Sequence, residues 1–391
     1  FFLMIRRPPR STLFPYTTLF RSNPFSIAVL GPPPVDPSNR FSGKPEAVSL
    51  GRELFLDTDL SASEEVSCAT CHMTDGAMVP NETMPAGADR AYRPVMPIVG
   101  AAHHDFFGWD GRTDSLWSQI TVPLEHPAEH ELTRAEVVRH VLTGYPAEFA
   151  AVVGAGFGDV PRGRASPTGD EAARSNWTAL SDAQRAAIDT AFVDVAKILA
   201  SYVESVPVVP SRWDDWIRAA TDDPGTMAEI PSAVRRGFDL FTGKGRCATC
   251  HFGPMFTDFD FHNTAMPGMP GAPPDPGRQG VALGLITDPL NCAGPFSDAP
   301  EGECDALTYI NLSIERGMGA FRTPSLRAVS SRTAYGHAGR FRTLEDVVRH
   351  YDAAPRGAHG RLVGQGTLTE LVPLSLGEDE IADLVAFLES I

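Results

Sequence analysis

Cys68-Ala69-Thr70-Cys71-His72 recurs, letter for letter, as Cys247-Ala248-Thr249-Cys250-His251, and this pair of pentapeptides decides how the rest of the chain reads. Two thiols flanking two residues can each add to a vinyl group of one haem, while the histidine that follows reaches the iron from one face. A single match could be half of a zinc site or a redox dithiol. Zinc wants a matching Cys or His pair close by, and a dithiol leaves His72 and His251 without a task. The identical repetition favours c-type attachment at both places, and so predicts two covalently bound haem c groups.

The 391 residues are enough for two domains with separate cores. Glycine (35) and proline (34) are abundant, which predicts short helices joined by long loops. A net charge of −16 argues against nucleic acid as a partner and for a basic redox protein, or a neutral one with a local patch. No run of 18 apolar residues occurs, so no membrane span is expected. Four of the six cysteines belong to the haem motifs. Cys292 and Cys304 lie in a Gly/Pro/Asp-rich loop and are expected to close a disulfide. Haem attachment and a disulfide both place the protein outside the reducing cytosol, in a bacterium the periplasm. The signal peptide this implies is missing. Residues 1–22 carry Arg6, Arg7, Arg10 and Arg21 but no acid, no lysine and no long apolar run. They read as adapter-derived sequence standing in place of the true N-terminus.

Outward from the motifs, Gly51-Arg52-Glu53-Leu54-Phe55 before Cys68 parallels Arg236-Gly237-Phe238-Asp239-Leu240-Phe241 before Cys247. Each reads as a short helix ending in Leu-Phe that leads into the pentapeptide, an internal repeat of two cytochrome domains. The expected fold class is therefore mainly α: two cytochrome c-like haem domains with long loops. Residues 23–45 read as an extended lead-in, 46–210 as the N-terminal haem domain, 211–228 as a linker after Pro207 and Pro210, and 229–391 as the C-terminal haem domain. Apolar periodicity predicts helices from Ala47 to near Asp57, over 133–143, over 181–205, from the Thr343 cap to Tyr351, and over 378–391. A further helix runs to Gln119 with Thr113 or Asp114 as its cap. The stretches 154–172 and 252–320 read as loops.

Trp109-Asp110-Gly111-Arg112, followed by Gln119, Pro123, Pro127 and Glu129, resembles the bacterial dihaem cytochrome c peroxidase family, in particular its MauG/MbnH-like branch of tryptophan-modifying oxidases. Phe261-His262-Asn263-Thr264, Phe321 to Arg327, His337-Ala338-Gly339 and Thr343-Leu344-Glu345 carry the resemblance through most of the chain from about residue 46. It implies that the first haem is peroxidatic, with His72 as proximal ligand, Glu129 as distal acid–base, Gln119 as the polar group beside it and Trp109 as the bridge between the haems. The second haem, ligated by His251, would transfer electrons. Its distal-ligand position falls on Tyr351, where ordinary peroxidases of the family have methionine and the tryptophan-modifying members tyrosine; His350 and Met318 are weaker candidates. The family's loop histidine, which closes the resting first iron, is absent between His72 and His103, so the first haem is expected to be open without reductive activation unless one of Met73, Met78, Met84 and Met96 closes it.

The function implied is a periplasmic dihaem oxidoreductase that reacts with hydrogen peroxide and, like MauG, oxidises a protein substrate or redox partner through high-valent haem. Scavenging of peroxide with electrons from a small redox protein, a cytochrome c or a cupredoxin, is the alternative. Non-enzymatic electron transfer is a third reading. The resemblance also implies a calcium ion between the domains. Its usual Asn is not evident around Tyr92–Pro97, however, and the usual Thr and Pro carbonyl donors fall on Arg332 and Ala334.

Overall fold

The computed structural model describes residues 23–72, 93–154, 160–355 and 371–391. It is mainly helical, as the sequence predicts, and contains two apolar cores.

The first core is built on α1 (Pro45–Leu56), which leads into α2 (Cys68–Cys71). Proline at the start of α1 and Glu46 in its first turn suit a helix N-terminus. Ala47, Leu50, Leu54 and Phe55 recur at helical spacing and are buried against α7 (Asp182–Glu204). Gly51 lets the two helices touch: a Cβ there would lie 2.4 Å from the Ile198 carbonyl oxygen. Around α7 also pack α3 (Leu116–Glu125) and α4 (Arg134–Gly144). Between α4 and α7 run α5 (Pro146–Val153) and α6 (Glu171–Ala179).

The second core repeats the plan. α8 (Arg212–Asp222) precedes α9 (Ser232–Thr242), which leads into the second motif and packs on the last helix, α14 (Glu378–Leu388). The contact again hinges on a glycine of the repeat: a Cβ on Gly237 would fall 2.0 Å from the Asp383 carbonyl oxygen. Between them lie α10 (Arg278–Thr287), the one-turn α11 (Asp305–Thr308) and α12 (Ile314–Gly317), and α13 (Leu344–Ala353), which packs on α14. Two short strands, β1 (Phe261–His262) and β2 (Phe321–Arg322), pair antiparallel. Among the described residues no helix is long and apolar enough to cross a membrane.

Several expectations change. Residues 211–228, read as a linker, contain α8, capped by Ser211 with Asp214 in a reciprocal capping box; its Trp213 and Ile217 belong to the second core. The lead-in is not simply extended. Ile27–Val29 form a 3₁₀ turn, and Phe25 is buried in the second core against Phe238 and Phe256. Conversely, Leu290 joins the first core, where the buried Lys197 ammonium donates to the Phe296 carbonyl (2.6 Å) and pairs with Asp298. Each core thus borrows a segment from the other half of the chain. Ser115, not Thr113 or Asp114, caps α3. Thr113 instead donates to Gln119, and Asp114 accepts the Cys292 amide at 2.9 Å. The loop 154–172 ends in the cap and first turn of α6. α10 lies within the stretch expected to be irregular. Cys292 and Cys304 are disulfide-bonded.

Candidate active site

At the first motif, Cys68, Cys71 and His72 are half-buried, and neither thiol is in a disulfide. Burial pushes the His72 imidazole down to about 4, the nearby His130 ring adding to the shift, so the ring is neutral and able to bind a metal. The turn that carries Glu129 is fastened beside it. α3 ends at Glu125, and the Glu129 and Glu131 amides both donate back to the His126 carbonyl, each at 3.0 Å. Glu131 takes a positive φ of 56° to make this possible. His130 then locks the turn onto the 3₁₀ turn before the motif: its Nδ1 donates to the Leu60 carbonyl (2.5 Å), its own carbonyl accepts the Ala62 amide (2.8 Å), and its Nε2 faces Cys68 Sγ at 3.8 Å. The Glu129 carboxylate lies near enough to the motif for its charge to help raise the Cys71 thiol, after burial. It is 34% exposed and stands 3.5 Å from His126 Nδ1. Gln119 accepts a hydrogen bond from Thr113 through Oε1 (3.0 Å), which assigns its amide NH2 as a donor.

At the second motif the structure opens a cavity of about 1850 Å³ of atom-free space, mouth included, lined by Cys247, Cys250 and His251. His251 Nδ1 donates to the Phe256 carbonyl (2.9 Å), which fixes the tautomer with Nε2 free, and burial pushes the ring down to about 4. Tyr351 lines the same cavity. Burial, then the Cys250 thiol, push its hydroxyl above the usual range, while a hydrogen bond with Thr264 acts the other way. His350, the weaker candidate, is turned aside: its Nε2 bonds the Thr264 carbonyl at 2.8 Å.

Two guanidinium groups also line the cavity. Arg322 is 5% exposed and bonds His104, Met96 Sδ (3.0 Å) and the Gly108 carbonyl (3.3 Å). Arg332 donates to the Ser325 carbonyl (2.7 Å), but its Nε is sealed from water and unpartnered. Burial pushes both down to about 10, and among the described residues neither has a carboxylate partner. A haem fits this site. It would use the two thiols, the free imidazole nitrogen and, through its propionates, the uncompensated guanidinium groups.

Trp109 belongs to the second cavity. Its indole N–H donates to the Pro94 carbonyl (2.7 Å), its backbone carbonyl accepts the Arg322 amide (2.8 Å), and its ring lines the second cavity. The turn after it needs Gly111, where φ is +67° and a Cβ would strike the Phe261 ring at 2.3 Å.

Calcium does not fit the described residues here. It wants about six to eight oxygen ligands. Asp110 and Asp275 are already paired with Arg93, at 2.5 and 2.7 Å, and the Pro94 carbonyl is taken by Trp109. Of the methionines proposed to close the first iron, Met96 is held by Arg322. Met73, Met78 and Met84 lie outside the described residues. His130 and Arg322 carry no role in the sequence reading, and Arg332 enters it only as a calcium-donor position. His130 directly follows Glu129, and Arg322 sits inside the Phe321–Arg327 run, which are the only local signals for them.

Two Cys-x-x-Cys-His motifs, one with the Glu129 carboxylate nearby and one sharing a cavity with Tyr351, fit a dihaem oxidoreductase. A family model for di-haem cytochrome c peroxidase matches residues 45–222. The methylamine utilization protein MauG of Methylorubrum extorquens is 30% identical over 351 residues, covering 89% of this chain and 78% of its own length. The cytochrome-c peroxidase IdrP1 of Denitromonas iodatirespirans is 28% identical, covering 93% of this chain and 86% of its own. Among solved structures, a MauG-like protein associated with microbial copper homeostasis superposes with a TM-score of 0.63 at 23% identity, over 92% of this chain and 93% of its own. The chain belongs to the di-haem cytochrome c peroxidase family, and is an enzyme of that haem oxidoreductase class.

Proposed function

We propose that this is a periplasmic peroxide-dependent oxidoreductase in which the first haem site reacts with hydrogen peroxide and the second, closed by Tyr351, passes electrons drawn from a protein. When bound at Cys68, Cys71 and His72, the haem supplies the iron at which the O–O bond of peroxide is cleaved. The chain supplies the proton handling. As a carboxylate, Glu129 takes a proton from one peroxide oxygen; as the acid, it returns that proton to the other. Gln119, fixed by Thr113, offers an N–H to orient the peroxide. Neutral His72 and His251 serve as proximal ligands without having to shed a proton. The resemblance, and the place of Trp109 in the lining of the second cavity, support its reading as the bridge for electrons between the sites.

The observation that carries the protein-oxidising reading over peroxide scavenging is the placement of Tyr351 in the cavity of His251. A phenolate is a hard anionic ligand that favours oxidised iron, whereas methionine raises the potential toward that of an ordinary relay. EPR of the resting ferric protein should show one high-spin and one low-spin signal, and Tyr351→Met should shift the second haem's midpoint upward in spectroelectrochemistry. Two low-spin signals would favour simple electron transfer. An unshifted midpoint with fast turnover of a reduced cytochrome c would favour the scavenger.

A further inference from the structure

We propose that the exposed face formed by α10 and residues 305–314 is the docking surface for a small redox protein whose apolar contact patch is ringed by lysines. The proposal rests on the peroxidase reading above and names the partner's chemistry. Five of the eleven exposed large apolar side chains among the described residues fall between Leu283 and Ile314: Leu283, Ile286, Tyr309, Leu312 and Ile314. Tyr309 is 81% exposed and Leu283 66%. Singly exposed apolar side chains are ordinary; a group of them on adjoining elements marks an interaction site. α10 packs against α12, which begins at Ile314, and their contact is close enough that a Cβ on Gly317 would meet Gln279 Oε1 at 2.9 Å.

The charge around this face is mainly acidic, with the exposed Arg316 of α12 as a base beside it. From Gln279 to Glu315 there is no lysine, arginine or histidine, while Asp288, Asp298, Glu301, Glu303, Asp305 and Glu315 fall within it. Asp298 is neutralised by Lys197 and Arg40, but Glu301, Glu303 and Asp305 are exposed and without an ion pair among the described residues. The Cys292–Cys304 disulfide ties this acidic loop down. A second copy of a chain with net charge −16 would bring the same acidic rim against itself. A lysine-rimmed partner is the complementary one.

The face also leads to the electron bridge. Arg278, the first residue of α10, holds its guanidinium 4.3 Å from the Phe106 ring centre and 4.4 Å from that of Phe261, and donates to the Gly111 carbonyl in the turn after Trp109. Its amide donates to Ala320 (2.8 Å), and two residues on the Arg322 amide donates to the Trp109 carbonyl. A protein seated on α10 is thus joined to the Trp109 turn by a short bonded path, without entering either haem site.

The test uses the ferric holoprotein and a lysine-rich class I cytochrome c, with binding measured by calorimetry at low ionic strength and no peroxide. Wild type should bind, and binding should weaken as salt is added. Glu301→Lys/Glu303→Lys and, separately, Tyr309→Ser/Leu312→Ser should each weaken it about tenfold or more. Both variants should keep the wild-type peroxide-dependent oxidation of a small organic dye. Binding by either double variant at wild-type strength overturns the proposal. So does a wild-type dimer in sedimentation that Leu312→Glu splits, since it gives the face to a second copy. Because binding is read without peroxide, loss of dye oxidation in the wild type would instead count against the peroxidase reading.

Discussion

Glu204→Gln should make the protein more stable at alkaline pH and leave it nearly unchanged at acid pH. Glu204 is 6% exposed near the end of α7, where it accepts from Ser42 Oγ (2.5 Å) and, at 3.4 Å, from Asn39 Nδ2. Burial pushes its carboxyl up from 4.5 to about 7, and the field of Asp36 adds to the shift. The folded state therefore holds a proton between about pH 4.5 and 7 that the unfolded chain releases. For a raised carboxyl, the stability this proton confers is complete below the unfolded value and is lost as pH rises through the folded one. At about 1.36 kcal/mol per pKa unit, wild type loses about 3 kcal/mol on this account between pH 4.5 and 8. Glutamine keeps an acceptor for Ser42 and has no proton to lose. Thermal unfolding of the ferric holoprotein at pH 5, 6, 7 and 8 should show the variant's advantage growing across the series, up to that limit. A difference between variant and wild type that stays constant with pH would refute the reasoning, because every other titrating group is common to both proteins.

Gly237→Ala drives a methyl into the Asp383 carbonyl and Phe387 Cβ at the α9–α14 crossing, and should cost about 1–3 kcal/mol, seen as a lower unfolding midpoint. Gly51→Ala should act alike at the α1–α7 crossing; a neutral effect at both would mean that the helices can part freely. Replacing Cys292 and Cys304 by serine should remove roughly 3 kcal/mol of chain-entropy stabilisation while leaving haem content per chain, by pyridine haemochrome assay, unchanged. Loss of haem would place the bond in haem-site assembly instead.

What could be read from the sequence follows from what leaves a local trace. The two pentapeptides and the Leu-Phe helices before them are short-range patterns, and they held. So did α4, α7, α13 and α14, whose apolar stripes and caps are continuous. α8 escaped because Pro207 and Pro210 suggested a linker, although Ser211 and Asp214 form a capping box and Trp213, Ile217 and Ala220 form its buried stripe. α10 hid in a glycine-rich stretch. The exchange of Phe25 and Leu290 between the cores could not be read at all, because contacts between distant segments leave no periodicity. At the site, Glu129, Gln119 and Tyr351 stood out only through a family resemblance. As isolated residues they are an ordinary surface acid, a half-buried amide and a helix-end aromatic. Arg322 and Arg332 were not seen as haem-site groups because their significance lies in having no carboxylate partner among the described residues, which only the packed structure reveals.

The most direct test of the account is the rate at which the resting ferric protein reacts with hydrogen peroxide, followed by stopped-flow absorption in wild type and Glu129→Gln. Both haems should remain attached in the variant, since Glu129 contributes no attachment atom. If Glu129 carries the peroxide proton, the variant should react about 10²-fold more slowly or worse. A variant that keeps both haems and reacts at the wild-type rate would contradict the account.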